Sequence, residues 1–157
     1  MVRGSRDNWA EWLLDRGAAG DKAGWVEFLR PVRDRVLDNA QLSEGDTLLD
    51  VGAGDGMIAF GVLERLGEHG RVVFADISKD LLEHSRTLAE VKSVADRCEF
   101  VLAPATDLSR NADGSVDVVT TRSVLIYLGG QAPRGIIHPT TRGGRFQNFL
   151  SSAQVSR

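Results

Sequence analysis

Apolar residues along this chain change their spacing near residue 46. Before it they recur at helical intervals. Trp9, Trp12, Leu13 and Leu14 follow Asp7 and Asn8, either of which can cap a helix. Trp25, Phe28, Leu29, Val32, Val36 and Leu37 make one stripe over residues 22–40, with Pro31 as a kink point. Ser43-Glu44-Gly45-Asp46 reads as a turn. Beyond it, short apolar runs at residues 47–51, 71–75, 99–102 and 116–120 read as strands. Residues 57–66 and 79–94 read as helices; in the second, Leu81, Leu82, Ser85, Leu88, Ala89 and Val91 lie on or near one face. An Asn111-Ala112-Asp113-Gly114 turn precedes the fourth strand. Strands this short and apolar suit a sheet covered on both sides. Their alternation with helices predicts an α/β fold: a doubly wound, mostly parallel sheet of about four strands with right-handed crossovers.

After Leu128 the periodicity stops. The pattern thus divides the chain into an N-terminal helical cap (residues 1–45), a core (46–128) and an irregular, disordered tail (129–157). Charge marks the same boundary. Residues 1–128 hold 15 Lys and Arg against 22 Asp and Glu, a net of −7, whereas residues 129–157 hold four arginines and no acid. With 157 residues, 42% of them apolar, one domain with a real core is expected. The net charge of −3 gives no reason to expect a nucleic-acid partner. Cys98 is the lone cysteine, so neither an internal disulfide nor a zinc-finger spacing exists, which fits a reducing cytoplasm. No apolar run approaches the ~18 residues of a membrane span, and the first eight residues are polar.

The chemistry sits in Leu48-Leu49-Asp50-Val51-Gly52-Ala53-Gly54-Asp55-Gly56. A strand runs into three glycines spaced two apart, and a helix follows. Gly52 allows a tight turn, Gly54 lets a ligand approach the backbone, and Gly56 lets the helix start close to the strand. A Walker A loop needs Lys-Ser or Lys-Thr after its last glycine, and Met57-Ile58 stands there. A dinucleotide turn has its third glycine three positions after the second; here it comes after two. What remains is a nucleoside without phosphate. Asp76, at the end of the second strand, can accept from both ribose hydroxyls.

The decapeptide Thr47 to Gly56 resembles motif I of the class I S-adenosylmethionine-dependent methyltransferases of small-molecule type. Val73-Phe74-Ala75-Asp76-Ile77-Ser78 resembles their second motif. Residues 100–108 resemble their third strand and the loop beside the adenine, and residues 116–125 their fourth strand and the helix start after it. Order and spacing agree across residues 47–128. The resemblance implies a Rossmann-like domain and S-adenosyl-L-methionine as cofactor. Gly52, Ala53, Gly54 and Gly56 would pass beneath its methionine and ribose, with Asp50 near the methionine end. Asp76 would hold the ribose, Ile77 would pack on the adenine, and Ala105, Thr106 and Asp107 would edge it. Arg122 and Ser123 would close the methionine side. No metal is implied, no catalytic residue is named, and the acceptor is expected to be a small molecule.

Two features depart from the family. Pro104 stands where many relatives carry an acid that accepts from the adenine amino group. The family sheet has seven strands, whereas Pro139-Thr140-Thr141 replaces the helix expected before the fifth and no apolar strand follows. The resemblance therefore implies a domain truncated or altered after residue 128. Two rival readings remain at this point: a non-catalytic remnant of the fold, and an NAD-dependent oxidoreductase.

Overall fold

The structure, a computed structural model, describes residues 7–15, 22–108, 115–122 and 141–149. Of residues 9, 12, 22, 23, 25, 26, 122 and 141–149 it describes the backbone alone. Helices α1 (Asn8–Asp15) and α2 (Lys22–Asn39) come first. Then follow β1 (Thr47–Val51), α3 (Met57–Leu63), β2 (Arg71–Asp76) and α4 (Lys79–Val91). A 3-10 turn leads into β3 (Cys98–Leu102), and β4 (Val116–Arg122) and β5 (Thr141–Phe149) complete the sheet. The order is β3-β2-β1-β4-β5, with every pair parallel.

Alternation along the strands builds two cores. Leu48, Val72, Phe74 and Val118 face one side, where Val36, Leu37 and Ala40 of α2, Ile58, Ala59, Val62 and Leu63 of α3, and Leu82 of α4 cover them. The α2 helix is thus part of the same layer as α3, and it runs through Pro31. Leu49, Val51, Val73, Ala75, Val101 and Val119 face the other side, joined by Val116 at the start of β4 and by Ala103, Ala105 and Leu108 from the segment after β3. The Arg97 guanidinium ties the base of β3 to the turn before β2, donating to the carbonyls of Gly70 at 2.9 Å, Leu63 at 3.2 Å and Gly67 at 2.5 Å.

The doubly wound parallel sheet is the expected one, and β1 to β4 stand where the apolar runs place them. The correction is β5. Residues 129–157 are expected to be irregular, and the sheet to have about four strands, yet Thr141–Phe149 pairs with β4. Hydrophobic periodicity misses it because Arg142-Gly143-Gly144-Arg145 has almost no apolar side chain to count. Parallel pairing needs only backbone groups, and β4 offers a free edge for them. The register steps from Val116↔Thr141 to Val118↔Arg145, so the irregularity falls at the glycine pair, where strand glycines commonly mark bulges.

Candidate functional site

The strand order turns at β1, which has β2 on one side and β4 on the other. Crevices at the carboxyl ends of strands beside such a point are where open parallel sheets take ligands. The glycine loop leaves β1 there. Gly52, Gly54 and Gly56 have φ of 71°, 57° and 81°, the left-handed region that side chains reach only with strain. A Cβ on Gly56 would lie 2.6 Å from Phe60 Cε2 and 3.1 Å from Phe74 Cε1, so this glycine lets α3 close onto β2. A Cβ on Gly54 would lie 3.3 Å from Leu13 Cδ1, which places α1 against the loop.

The loop uses its own amides. Gly52 N and Ala53 N both donate to Ala75 O, at 2.8 and 3.1 Å, and Gly56 N donates to Ala53 O at 2.9 Å. Gly54 N donates to Asp76 Oδ2 at 2.9 Å, and Met57 N to Asp55 Oδ1 at 3.3 Å. A pyrophosphate cradle aims such amides outward. Here they point inward, and the Asp55 carboxylate puts negative charge at the start of α3.

Asp76 joins the loop to the next helix. It is buried, and Ser78 N donates to its Oδ1 at 2.9 Å while Gly54 N holds Oδ2. A carboxylate has about four acceptor sites, so two amides leave capacity for hydroxyl donors. Ser78 caps α4, accepting from Leu81 N at 3.1 Å, and its hydroxyl donates to Asp7 Oδ2 at 2.5 Å. Asp7 in turn caps α1 by accepting from Ala10 N at 2.8 Å, and Asp7 N donates to Asp80 Oδ2 at 2.7 Å. Ser85 Oγ donates to Gly54 O at 3.3 Å. Helix α1 is thereby hung over the glycine loop.

The remaining residues singled out from sequence fall as follows. Asp50 is buried in β1 and accepts from Thr120 Oγ1 at 2.8 Å. Ile77 stands 58% exposed after β2, near Leu102 at the tip of β3, 51% exposed, which leaves an apolar rim beside Asp76. Ala105 is buried in the second core, so its side chain is engaged there, whereas Thr106 and Asp107 are exposed in a turn closed by Asp107 N donating to Pro104 O at 3.0 Å. Arg122 ends β4 with only its backbone described, and Ser123 lies outside the described residues. Cys98 is at the opposite, amino end of its strand. Burial pushes its thiol up to about 11 against the weaker pull of Arg97, so it is no nucleophile at neutral pH.

Sequence reasoning missed four contributors. Asp55, inside the glycine loop, and Leu13, against Gly54, were among them. So were Thr120 and Thr121, both buried at the end of β4. Two polar residues closing an apolar strand are the signal that points to them.

Residues 42–150 match the family described as a methyltransferase domain, a match that runs through β5. Nocamycin O-methyltransferase of Saccharothrix syringae is 37% identical over 108 residues, 69% of this chain and 38% of that protein. The tRNA 5-carboxymethoxyuridine methyltransferase of Escherichia coli is 28% identical over 90 residues, 57% of this chain and 33% of that protein. Geranyl diphosphate C-methyltransferase of Streptomyces coelicolor shares the fold, with a TM-score of 0.58 at 19% identity over 62% of this chain and 36% of that one. The chain spans between a third and two fifths of the length of these relatives.

Proposed function

Since this chain belongs to the family of methyltransferase domains, we propose that it binds S-adenosyl-L-methionine and serves methyl transfer to a small molecule. The observation that carries the reading is the Asp76 junction. One carboxylate fixes both the glycine loop and the start of α4, and retains acceptor sites at the carboxyl edge of the sheet. The inward amides and the Asp55 charge suit a nucleoside without phosphate and disfavour a dinucleotide. They equally suit a ligand that carries positive charge.

The residues present fit the cofactor. Asp76 would take the ribose hydroxyls, and Gly52 and Gly54 would let the ligand lie against the backbone. Ile77 would pack on the adenine, with Thr106 and Asp107 at its edge and Ala105 contributing backbone. Asp50, held by Thr120, would set the charge at the methionine end, which Arg122 and Ser123 would close. When bound, the cofactor supplies a methyl group made electrophilic by its sulfonium. The chain's own contribution is alignment: locked glycine dihedrals, a fixed carboxylate, and α1 excluding water from above.

A small-molecule acceptor is favoured over RNA by the net charge of −3, since RNA binding rests on clustered cations. Calorimetric titration of the full chain tests the reading. S-adenosylhomocysteine is expected to bind one to one and NAD⁺ not at all. Binding of NAD⁺ alone would support the oxidoreductase, and binding of neither the remnant.

A further inference from the structure

The apolar row along α2 changes character partway. Val36 is 1% exposed in the core, Val32 is 39% exposed and Phe28 is 71% exposed. The three stand on successive turns of one helix face. What changes is the ground beneath them. A Cβ on Gly61 of α3 would lie 2.9 Å from Arg33 Cδ and 3.1 Å from Leu37 Cδ1, and Arg65 pairs with Asp38 at 2.6 Å, so α2 and α3 run in the same direction. Helix α3 starts at the carboxyl edge of the sheet, after Gly56, and α2 leads into the amino end of β1. Carried back toward the start of both helices, this pairing brings Val32 level with the first turn of α3 and Phe28 level with the glycine loop. The row therefore runs off the core onto the edge where the ligand loops lie.

The side of the sheet is fixed as well. Leu48 and Asp50 share a face of β1, opposite Val118 and Thr120 of β4, and that face is the one α2 and α3 cover. Helix α3 borders β1 and β2, whereas α2 borders β5. Phe28 and Val32 thus flank the Asp50–Thr120 end of the crevice from the side of β4 and β5, away from Asp76. Together they expose about 200 Å² of apolar surface, far short of the roughly 800 Å² that each partner gives to a stable protein interface. An area of that size matches one ring system of a small molecule.

We propose that Phe28 and Val32 form a wall of the acceptor site, and that the acceptor is an apolar small molecule which lays an aromatic or alicyclic framework against α2. The inference rests on the methyltransferase reading, in which Asp50 marks the methionine end of the cofactor.

The test uses the full chain saturated with S-adenosylhomocysteine, 1-naphthol as the apolar probe and D-ribose as the polar one. Amide NMR should show saturable shifts at residues 24–32 with 1-naphthol and none with D-ribose. Phe28→Ser should weaken 1-naphthol by about tenfold or more, the usual worth of covering a large apolar side chain. The same variant should bind S-adenosylhomocysteine within about twofold of wild type and melt within about 2 °C of it, because the ring is exposed. Val91→Ser is the control: Val91 is 77% exposed at the end of α4, toward the amino edge, and its loss should leave 1-naphthol binding unchanged. Equal weakening by the two variants overturns the proposal, since exposure and not position would then govern binding. So does 1-naphthol that binds elsewhere, or not at all, on chain that binds S-adenosylhomocysteine. A wild-type dimer that Phe28→Ser dissociates also overturns it, because the face would then join two copies. Wild-type chain that binds no S-adenosylhomocysteine overturns the cofactor reading itself, and this inference with it.

Discussion

Replacing Asp76 with asparagine removes one oxygen from a group that uses both. In the folded chain Oδ1 accepts from Ser78 N and Oδ2 from Gly54 N, each at 2.9 Å. Asparagine has one acceptor oxygen, so either orientation turns its NH2 toward one of the two amides. That amide loses a charge-assisted bond and is left buried against another donor. Hydrogen bonds to charged groups contribute about 1.5–3 kcal/mol, and an unsatisfied buried donor costs a similar amount, so a loss of about 2–3 kcal/mol is expected. For a chain of this size each kcal/mol moves the midpoint by about 2–4 °C, giving a fall of about 4–12 °C. Circular dichroism melts of wild type and Asp76→Asn measure it. Asp55→Asn serves as control, since its bond to Met57 N is long at 3.3 Å and half-buried, and it should melt within about 2 °C of wild type. Asp76→Asn melting with wild type would refute the junction, and with it the reason for placing the ligand there.

Gly56→Ala should cost about 2–4 kcal/mol, because left-handed φ is joined to a Cβ lying 2.6 Å from Phe60, whereas Gly45→Ala, with the same φ of 81° and open space, should cost about 1–2 kcal/mol; urea melts separate them. Thr120→Val removes the buried hydrogen bond from the Thr120 hydroxyl to the Asp50 carboxylate and should destabilise by about 1–3 kcal/mol in the same assay. The Cys98 thiol, pushed up to about 11 by burial, also donates to Val94 O at 3.2 Å. Its folded value lies above the ordinary thiol value of 9.0, so its contribution is fully present below pH 9 and is lost as pH rises toward 11. Wild type should therefore lose stability more steeply than Cys98→Ala over that window, and iodoacetamide should alkylate Cys98 more slowly than a free thiol at pH 8.

Much of the fold was legible because β1 to β4 are short runs of buried apolar residues between strong turn signals. Leu48, Leu49, Val72, Val73, Val118 and Val119 carry both the alternation and the two cores. Helix ends were less so: residues 57–66 read as one helix, while α3 stops at Leu63 and Leu66 stays in the core through a turn onto Val62 O. Strand β5 was hidden because its pairing is a property of the backbone and of the edge of β4, not of its own glycine-rich composition. The site divides in the same way. Glycine spacing and the position of Asp76 are local patterns and can be read along the chain. The link from Asp7 to Ser78 crosses 71 residues, and the bond from Thr120 to Asp50 crosses 70, so both depend on which neighbours the fold brings together. Spacing carries neither.

Amide NMR of the full chain during titration with S-adenosylhomocysteine tests the central claim most directly. The account expects saturable shifts at Gly52, Ala53, Gly54, Gly56, Ile77, Thr106, Asp107 and Arg122, with the α2 helix little moved. Shifts confined to other parts of the chain, or none at concentrations that saturate a methyltransferase relative, would contradict a cofactor seat at the carboxyl edge of β1, β2 and β4.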